Sequence, residues 1–221
     1  MGNAVRIAMV AGEASGDLLA SHLIAALRAK LPDAVFYGIG GPRMESQGFD
    51  AWWPMEKLSV MGYVDALKNY REISGIRRQL KKRLLEIKPD IFIGVDAPDF
   101  NLGLETGLKS AGIKTIHYVS PSIWAWRGGR IKKIARAVNH VLALFPMEPP
   151  LYEKERIPVT YVGHPLADII PLETSKAVVR EKLAISRDIP VFALLPGSRK
   201  GELEMMAETF VQTAKIIRER Y

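Results

Sequence analysis

Short apolar runs alternate along the chain with longer amphipathic stretches. Val5–Val10, Val35–Ile39, Ile91–Val95, Thr115–Val119, Val141–Leu144, Val159–Val162 and Val191–Leu195 are rich in β-branched residues and have strand length. Between them the pattern predicts helices near 16–30, 71–88, 101–111, 129–138, 175–184 and 202–220. Apolar runs without polar alternation are what strands buried on both faces require. Their regular alternation with helices predicts an α/β fold, a mostly parallel sheet with helices on both faces.

One helical stretch carries two kinds of surface. Ile73, Ile76, Leu80, Leu84 and Ile87 recur at steps of three and four and form one apolar stripe, while Arg77, Arg78, Lys81 and Lys82 fall on other faces. Upstream, Val60, Val64 and Leu67, with Tyr63 and Tyr70, form a second short stripe. Apolar beside cationic surface is how peripheral proteins sit on anionic lipid, and it is also how a surface helix packs on a sheet.

Composition narrows the classes. The 221 residues are 48% hydrophobic and 25% charged, ordinary for a globular protein, and contain no cysteine. Thiol catalysis, zinc–thiolate sites and iron–sulfur clusters are thereby excluded. Met1–Ser15 does not read as a signal peptide, Arg6 stands where a myristoylation signal wants Ser or Thr, and no apolar run reaches the ~20 residues of a membrane span. The expectation is a cytosolic chain that touches a membrane from that side. The net charge of +7 is unevenly spread: residues 68–88 carry +6 and 127–140 carry +5, leaving −4 for the remainder. Two basic patches on a near-neutral domain attract phosphates of any kind.

Polar residues collect where strands end, the place where open parallel sheets bind ligands. Gly12–Asp17 joins a strand to a helix but lacks the G-x-G-x-x-G spacing, and Glu13 and Asp17 repel phosphate. Glu13, Ser15 and Gly16 are therefore candidates for a hydroxyl-rich ligand such as a sugar, with helix capping by Ser15 or Asp17 as the structural alternative. Pro196-Gly-Ser-Arg-Lys-Gly201 has small residues beside Arg199 and Lys200 and lacks the ending of a P-loop. Ser198 and Arg199 are candidates for clamping a diphosphate, or the loop is an ordinary tight turn. Asp96 follows a buried strand, the position of a general base, while Asp99 is expected to cap the next helix. The Asp-x-x-Asp spacing of Asp96 and Asp99 could hold a divalent metal, but no further ligands cluster near it, so metal binding is the weaker reading; no cofactor is expected. His117 inside a strand reads as a core histidine, and His164 stays open. Trp124 and Trp126, beside Arg127, suit either a sugar or lipid site or a lid over the core.

The stretch 163–190, with Pro165, Pro171 and Pro190, resembles an interdomain connection. After it comes one strand, one loop and one helix, too little to bury a core. Either this last unit joins the first sheet or, the favoured reading, residues 1–185 form a first domain and 186–221 the incomplete start of a second.

Five motifs together carry a resemblance. Val-Ala-Gly-Glu-Ala-Ser-Gly-Asp at 10–17, Gly-Gly-Pro-Arg-Met at 40–44, Asp-Ala-Pro-Asp-Phe at 96–100, Tyr-Val-Ser-Pro-Ser-Ile-Trp-Ala-Trp-Arg at 118–127 and Leu-Pro-Gly-Ser-Arg at 195–199 resemble, in order, the lipid-A-disaccharide synthase family. The resemblance implies a Rossmann-like first domain of a two-domain inverting glycosyltransferase. Its donor would be UDP-2,3-diacylglucosamine and its acceptor 2,3-diacylglucosamine 1-phosphate, giving the lipid A disaccharide 1-phosphate and UDP without a metal. It further implies Asp96 as base for the acceptor 6-hydroxyl and Arg199 as a residue needed in the nucleotide half. Val64, Leu67, Lys68, Arg71, Arg77, Arg78 and Lys81 would dock on phospholipid at the cytoplasmic face of the inner membrane. Asp65, Lys68, Asn69 and Glu72 interrupt that apolar surface, so attachment should be shallow and salt-sensitive. The family has a second domain of which this chain carries only the first βα unit, so the chain alone is expected not to turn over.

Two rivals are of other classes. A nucleic-acid-binding module would use both basic patches, yet no aromatics interleave with the basic residues of 71–88 and the strand-end loops would go unused. A sugar-nucleotide epimerase would share the architecture and need no lipid acceptor. Nucleic acid is not expected as a partner, and the oligomeric state is open.

Overall fold

The computed structural model describes residues 4–58, 63–123, 129–197 and 200–221, with the side chains of 63–70 and of Lys200 outside the description. The chain divides into two compact units, Met1–Ile169 and Ile170–Tyr221, a partition that falls inside the proline-bearing stretch 163–190.

The first unit is a seven-stranded, wholly parallel sheet. Its strands are β1 (Arg6–Ala11), β2 (Val35–Gly40), β3 (Phe49–Pro54), β4 (Ile91–Val95), β5 (Lys114–Tyr118), β6 (His140–Ala143) and β7 (Val159–Tyr161), in the spatial order β3-β2-β1-β4-β5-β6-β7. The helices are α1 (Ala14–Lys30), α2 (Pro42–Glu45), α3 (Tyr63–Ile87), α4 (Pro98–Lys109), α5 (Arg130–Ala137), α6 (Pro149–Lys154) and α7 (Leu166–Ile169). The doubly covered parallel sheet expected from the apolar runs is present.

The period of two in β1 divides the core. Ile7, Met9 and Ala11 face α1 and pack with Leu19, Ala20 and Ile24. Ala8 and Val10 face the other way and pack with Ile76, Leu80 and Leu84 of α3 and Phe100, Leu104 and Leu108 of α4. A third cluster joins Ile134 and Ala137 of α5, Val141 of β6 and Tyr152 of α6.

The sequence pattern misses β3 and the short helices α2, α6 and α7, and it starts α3 and α4 late. β3 escaped it because Asp50, Trp52, Trp53 and Pro54 do not form a β-branched run; an edge strand tolerates a terminal proline because its outer N–H groups need no partner. The predicted helix 71–88 begins at Tyr63, so the stripe of Val64 and Leu67 lies on the same helix, although those side chains and Val60 are outside the described residues. The predicted helix 101–111 begins at Pro98, whose missing N–H is harmless at the first turn.

The second unit contains α8 (Lys176–Lys182) and α9 (Lys200–Arg220). Ser175 caps α8, accepting from the Val178 amide at 3.5 Å. The strand expected at Val191–Leu195 does not form. A strand needs a neighbour for its N–H and C=O groups, and among the described residues of this unit there is none.

A buried carboxylate ties the first unit together. Asp17, in the first turn of α1, does not cap its own helix. It accepts backbone N–H groups from Gly41 at 3.1 Å, Arg43 at 3.1 Å and Met44 at 3.0 Å, and so holds the entry to α2. A Cβ on Gly41 would stand 2.8 Å from that carboxylate and 2.6 Å from Met55 Sδ. The Gly-Glu-Ala-Ser-Gly-Asp and Gly-Gly-Pro-Arg-Met motifs are thus two halves of one contact. Asp17→Ala should leave the N–H groups at 41 and 44 buried without an acceptor, at a cost of about 3 kcal/mol. Urea unfolding of the purified chain measures it, and a loss below about 1 kcal/mol would remove the clamp.

Candidate functional site

The strand order reverses between β1 and β4. The chain leaves β1 toward β2 and β3 on one side and leaves β4 toward β5, β6 and β7 on the other, so the loops beyond these two strands diverge. Ala11 and Val95 are paired across the ladder, and Gly12 and Asp96 are the next residues of each strand. A Cβ on Gly12 would lie 3.4 Å from the Ala97 Cβ, so the loops run side by side at their roots.

Asp96 lines a cavity of about 320 Å³ together with Pro98, Val119, Ser120, Arg130, Phe145 and Glu148. Its walls come from the carboxyl ends of β4, β5 and β6, joined by Arg130 at the start of α5. Three non-glycine residues at its rim adopt left-handed backbone: Asp96 at φ 51°, Ala97 at 42° and Val119 at 81°. For a β-branched valine this is a costly conformation, roughly 1–3 kcal/mol, kept only where the surroundings over-determine it. They do so here: the Asp96 amide donates to Tyr118 O at 2.8 Å, and the Val119 amide donates to Leu142 O at 3.0 Å.

The polar groups of the cavity wall are bonded to their neighbours. Glu148, 1% exposed, accepts from the Phe145 amide at 3.1 Å. Burial pushes its carboxyl above the usual carboxylate range, while the Phe145 and Leu144 amides and the Ser120 hydroxyl pull it partly back. The Tyr152 hydroxyl lies 2.6 Å from Ser120 Oγ, and burial pushes it up to about 12, so it stays protonated. Arg130 pairs with Asp99. Asp99 is not the helix cap expected of it: Ala97 occupies that position, leaving Asp99 in the first turn.

Behind Asp96 lies a second buried polar group. Asn101, Glu105 and His117 are each 0% exposed, and His117 Nδ1 is 2.8 Å from Glu105 Oε1. Burial raises the Glu105 carboxyl, with His117 opposing. Gly94 of β4 makes room: a Cβ there would stand 2.2 Å from Glu105 Oε1 and 3.0 Å from the Asn101 side chain. His117 is a core histidine.

Glu13 is half-buried at the start of α1, and Ser15 is exposed in its first turn. Gly16 is buried, its Cβ position 3.4 Å from Ala11 Cβ and 3.6 Å from Val95 O, which lets α1 approach the β1/β4 pair. None of these three lines the Asp96 cavity. On α3, Arg71 and Arg78 are exposed. Arg77 lies over the Phe100 ring at 6.0 Å, and a Cβ on Gly107 would stand 2.4 Å from Lys81 Nζ, so these two cations lie along α4. Ser198, Arg199, Trp124, Trp126, Arg127 and the side chains of Val64, Leu67 and Lys68 are outside the described residues. Sequence reasoning missed Glu148; a glutamate just after a strand and just before Pro149-Pro150 was the available signal.

A family model described as Lipid-A-disaccharide synthetase matches residues 7–221. The chain is 84% identical over 221 residues to a lipid-A-disaccharide synthase of Dechloromonas aromatica, covering all of this chain and 58% of that relative. It is 63% identical over 218 residues to lipid-A-disaccharide synthases of Aromatoleum aromaticum and of an Azoarcus species, covering 99% of this chain and 56% of each. The chain thus spans a little over half the length of these curated relatives.

The cavity wall should show itself in the pH dependence of stability. With the folded Glu148 carboxyl above its ordinary 4.5, the folded state holds a proton that the unfolded chain releases. Stability therefore falls as pH rises from the ordinary value through the raised one. Glu148→Gln keeps an acceptor and cannot ionise, so urea midpoints across that range should decline less steeply than in the parent; an unchanged slope would show that Glu148 is not the titrating group.

Proposed function

Because the chain belongs to the lipid-A-disaccharide synthetase family, we propose that it is the acceptor-side part of an inverting glycosyltransferase of lipid A biosynthesis. The acceptor is 2,3-diacylglucosamine 1-phosphate and the donor UDP-2,3-diacylglucosamine. The observation that carries this reading is Asp96, a carboxylate at the switch point of a parallel sheet, in a cavity with a hydroxyl- and guanidinium-bearing wall.

Asp96 takes the proton of the acceptor 6-hydroxyl as its oxygen attacks the donor's anomeric carbon. The new glycosidic bond forms on the face opposite the departing UDP, which gives inversion. The diphosphate leaves as an anion and needs positive charge, a role assigned to Arg199. Glu13, Ser15 and Gly16 are assigned to contacts with sugar hydroxyls, and Ser198 to contact with the diphosphate.

The acyl chains of both substrates require the enzyme to work at a lipid surface. No described helix is long and apolar enough to cross a membrane. Peripheral attachment through α3 meets the requirement, with Arg71 and Arg78 outward and Arg77 and Lys81 set back along α4. The partner surface is then the anionic cytoplasmic face of the inner membrane, and binding is shallow and salt-sensitive.

In the full-length enzyme, Asp96→Ala should lower kcat by roughly 10²–10⁴-fold with a smaller change in KM; near-normal turnover would remove the base. The chain itself should bind neutral vesicles doped with diacylglucosamine 1-phosphate saturably, and more tightly than vesicles of an ordinary anionic lipid or a DNA duplex at equal salt. Equal binding to all three, erased by salt, would reduce the basic patches to generic anion surfaces.

A further inference from the structure

We propose that Asn101 is a positioning residue for Asp96, fixing the backbone turn from which the carboxylate projects. The inference rests on the reading of Asp96 as the base, and it concerns a side chain that lies wholly beneath the cavity floor.

Asn101 Nδ2 donates to Asp96 O at 2.9 Å, and the same nitrogen lies 3.4 Å from Val10 O and 3.5 Å from Val95 O. Three carbonyl oxygens around one terminal atom identify that atom as the NH2 end of the amide, since an oxygen there would be repelled by all three. One amide group therefore holds the carboxyl ends of both β1 and β4 and the first residue of the loop beyond. The Asp96 amide is held from the opposite side by Tyr118 O at 2.8 Å. With both its N–H and its C=O fastened, the peptide planes flanking Asp96 cannot rotate, and the left-handed pair Asp96–Ala97 is kept where an unrestrained chain would relax.

The surroundings are arranged to admit this side chain. Asn101 is 0% exposed, and Gly94 in β4 leaves the space that its Cβ and Cγ need, a Cβ at that position standing 3.0 Å from each. A core position one turn into α4 would ordinarily be filled by an apolar residue, as it is at Leu102 and Leu104. Asn101 Oδ1 is buried without a hydrogen-bond partner among the described residues. A group that left one of its own polar atoms unsatisfied would be a poor choice for packing alone. What it supplies is the donor at Asp96 O.

A double-mutant cycle in the full-length enzyme tests this, with Asn101→Ala, Asp96→Ala and the pair, each checked for folding by urea unfolding. Asn101→Ala should lower kcat by about 10- to 100-fold, the range of a base displaced by a fraction of an ångström to one ångström, with KM for the acceptor changed less than about threefold. In the Asp96→Ala background the same substitution should cost less than about twofold, because there is no base left to position. Equal losses in both backgrounds, or an Asn101→Ala enzyme within about threefold of parent, would overturn the proposal. Near-normal turnover by Asp96→Ala would instead overturn the base reading on which it rests. If Asn101→Ala does not fold, the cycle is run with Asn101→Leu, which fills the space and cannot donate; failure of both to fold would make Asn101 a folding residue and sink the assignment.

Discussion

The pairing of β1 with β4 is the contact on which the rest of the first unit depends. β1 is covered on both faces, with Ile7, Met9 and Ala11 against α1 and Ala8 and Val10 against α3 and α4. Because β4 rather than β2 follows it across the sheet on that side, the chain must turn away in opposite directions from two adjacent strands. A crevice at their carboxyl ends results from connectivity alone. The cavity beside Asp96, the close approach of Gly12 to Ala97 and the buried position of Asn101 all follow from that one adjacency.

The polar groups of the unit lie in two buried layers with different tasks. Asp17 joins α1 to the β2–α2 turn through three backbone N–H groups, which is a task of shape. Asn101, Glu105 and His117 sit between α4 and the sheet directly under the Asp96 loop, and Glu148, Ser120 and Tyr152 brace its far wall. Left-handed backbone at Asp96, Ala97 and Val119 is sustained by this bracing, and it aims the loop ends into the cavity. Strain at the rim and hydrogen bonds beneath it are two sides of one construction.

Positive charge on α3 is likewise shared between two uses. Arg77 and Lys81 lie along α4 at Gly103 and Gly107, where the absence of side chains leaves a groove for their stems, and Arg83 stacks on Trp52 at 3.6 Å. Among the described side chains of the helix, Arg71, Arg78, Lys82 and Arg83 are exposed, while Arg77 and Lys81 are half-buried. Long basic side chains cover apolar surface with their methylenes while the charge stays near water.

Much of this was legible in the order of residues. Continuous apolar runs separated by amphipathic stretches suffice for a doubly covered parallel sheet, because a strand buried on both faces has no polar position to spare. Asp96 could be singled out as a carboxylate at a strand's end with no structural task in view, and five ordered motifs pointed to one family. β3 was not legible, since its edge position excuses Asp50 and Pro54 from strand chemistry, and the run at 191–195 looked like a strand because apolar pattern carries no information about whether a neighbour exists. Nor could spacing reveal that Asp17 serves the turn at 41–44, that Asp99 pairs with Arg130 rather than capping α4, or that Asn101 reaches back to Asp96. Local pattern reports which residues prefer water and which do not; which polar atoms meet across the sheet is decided only when the strands take their order.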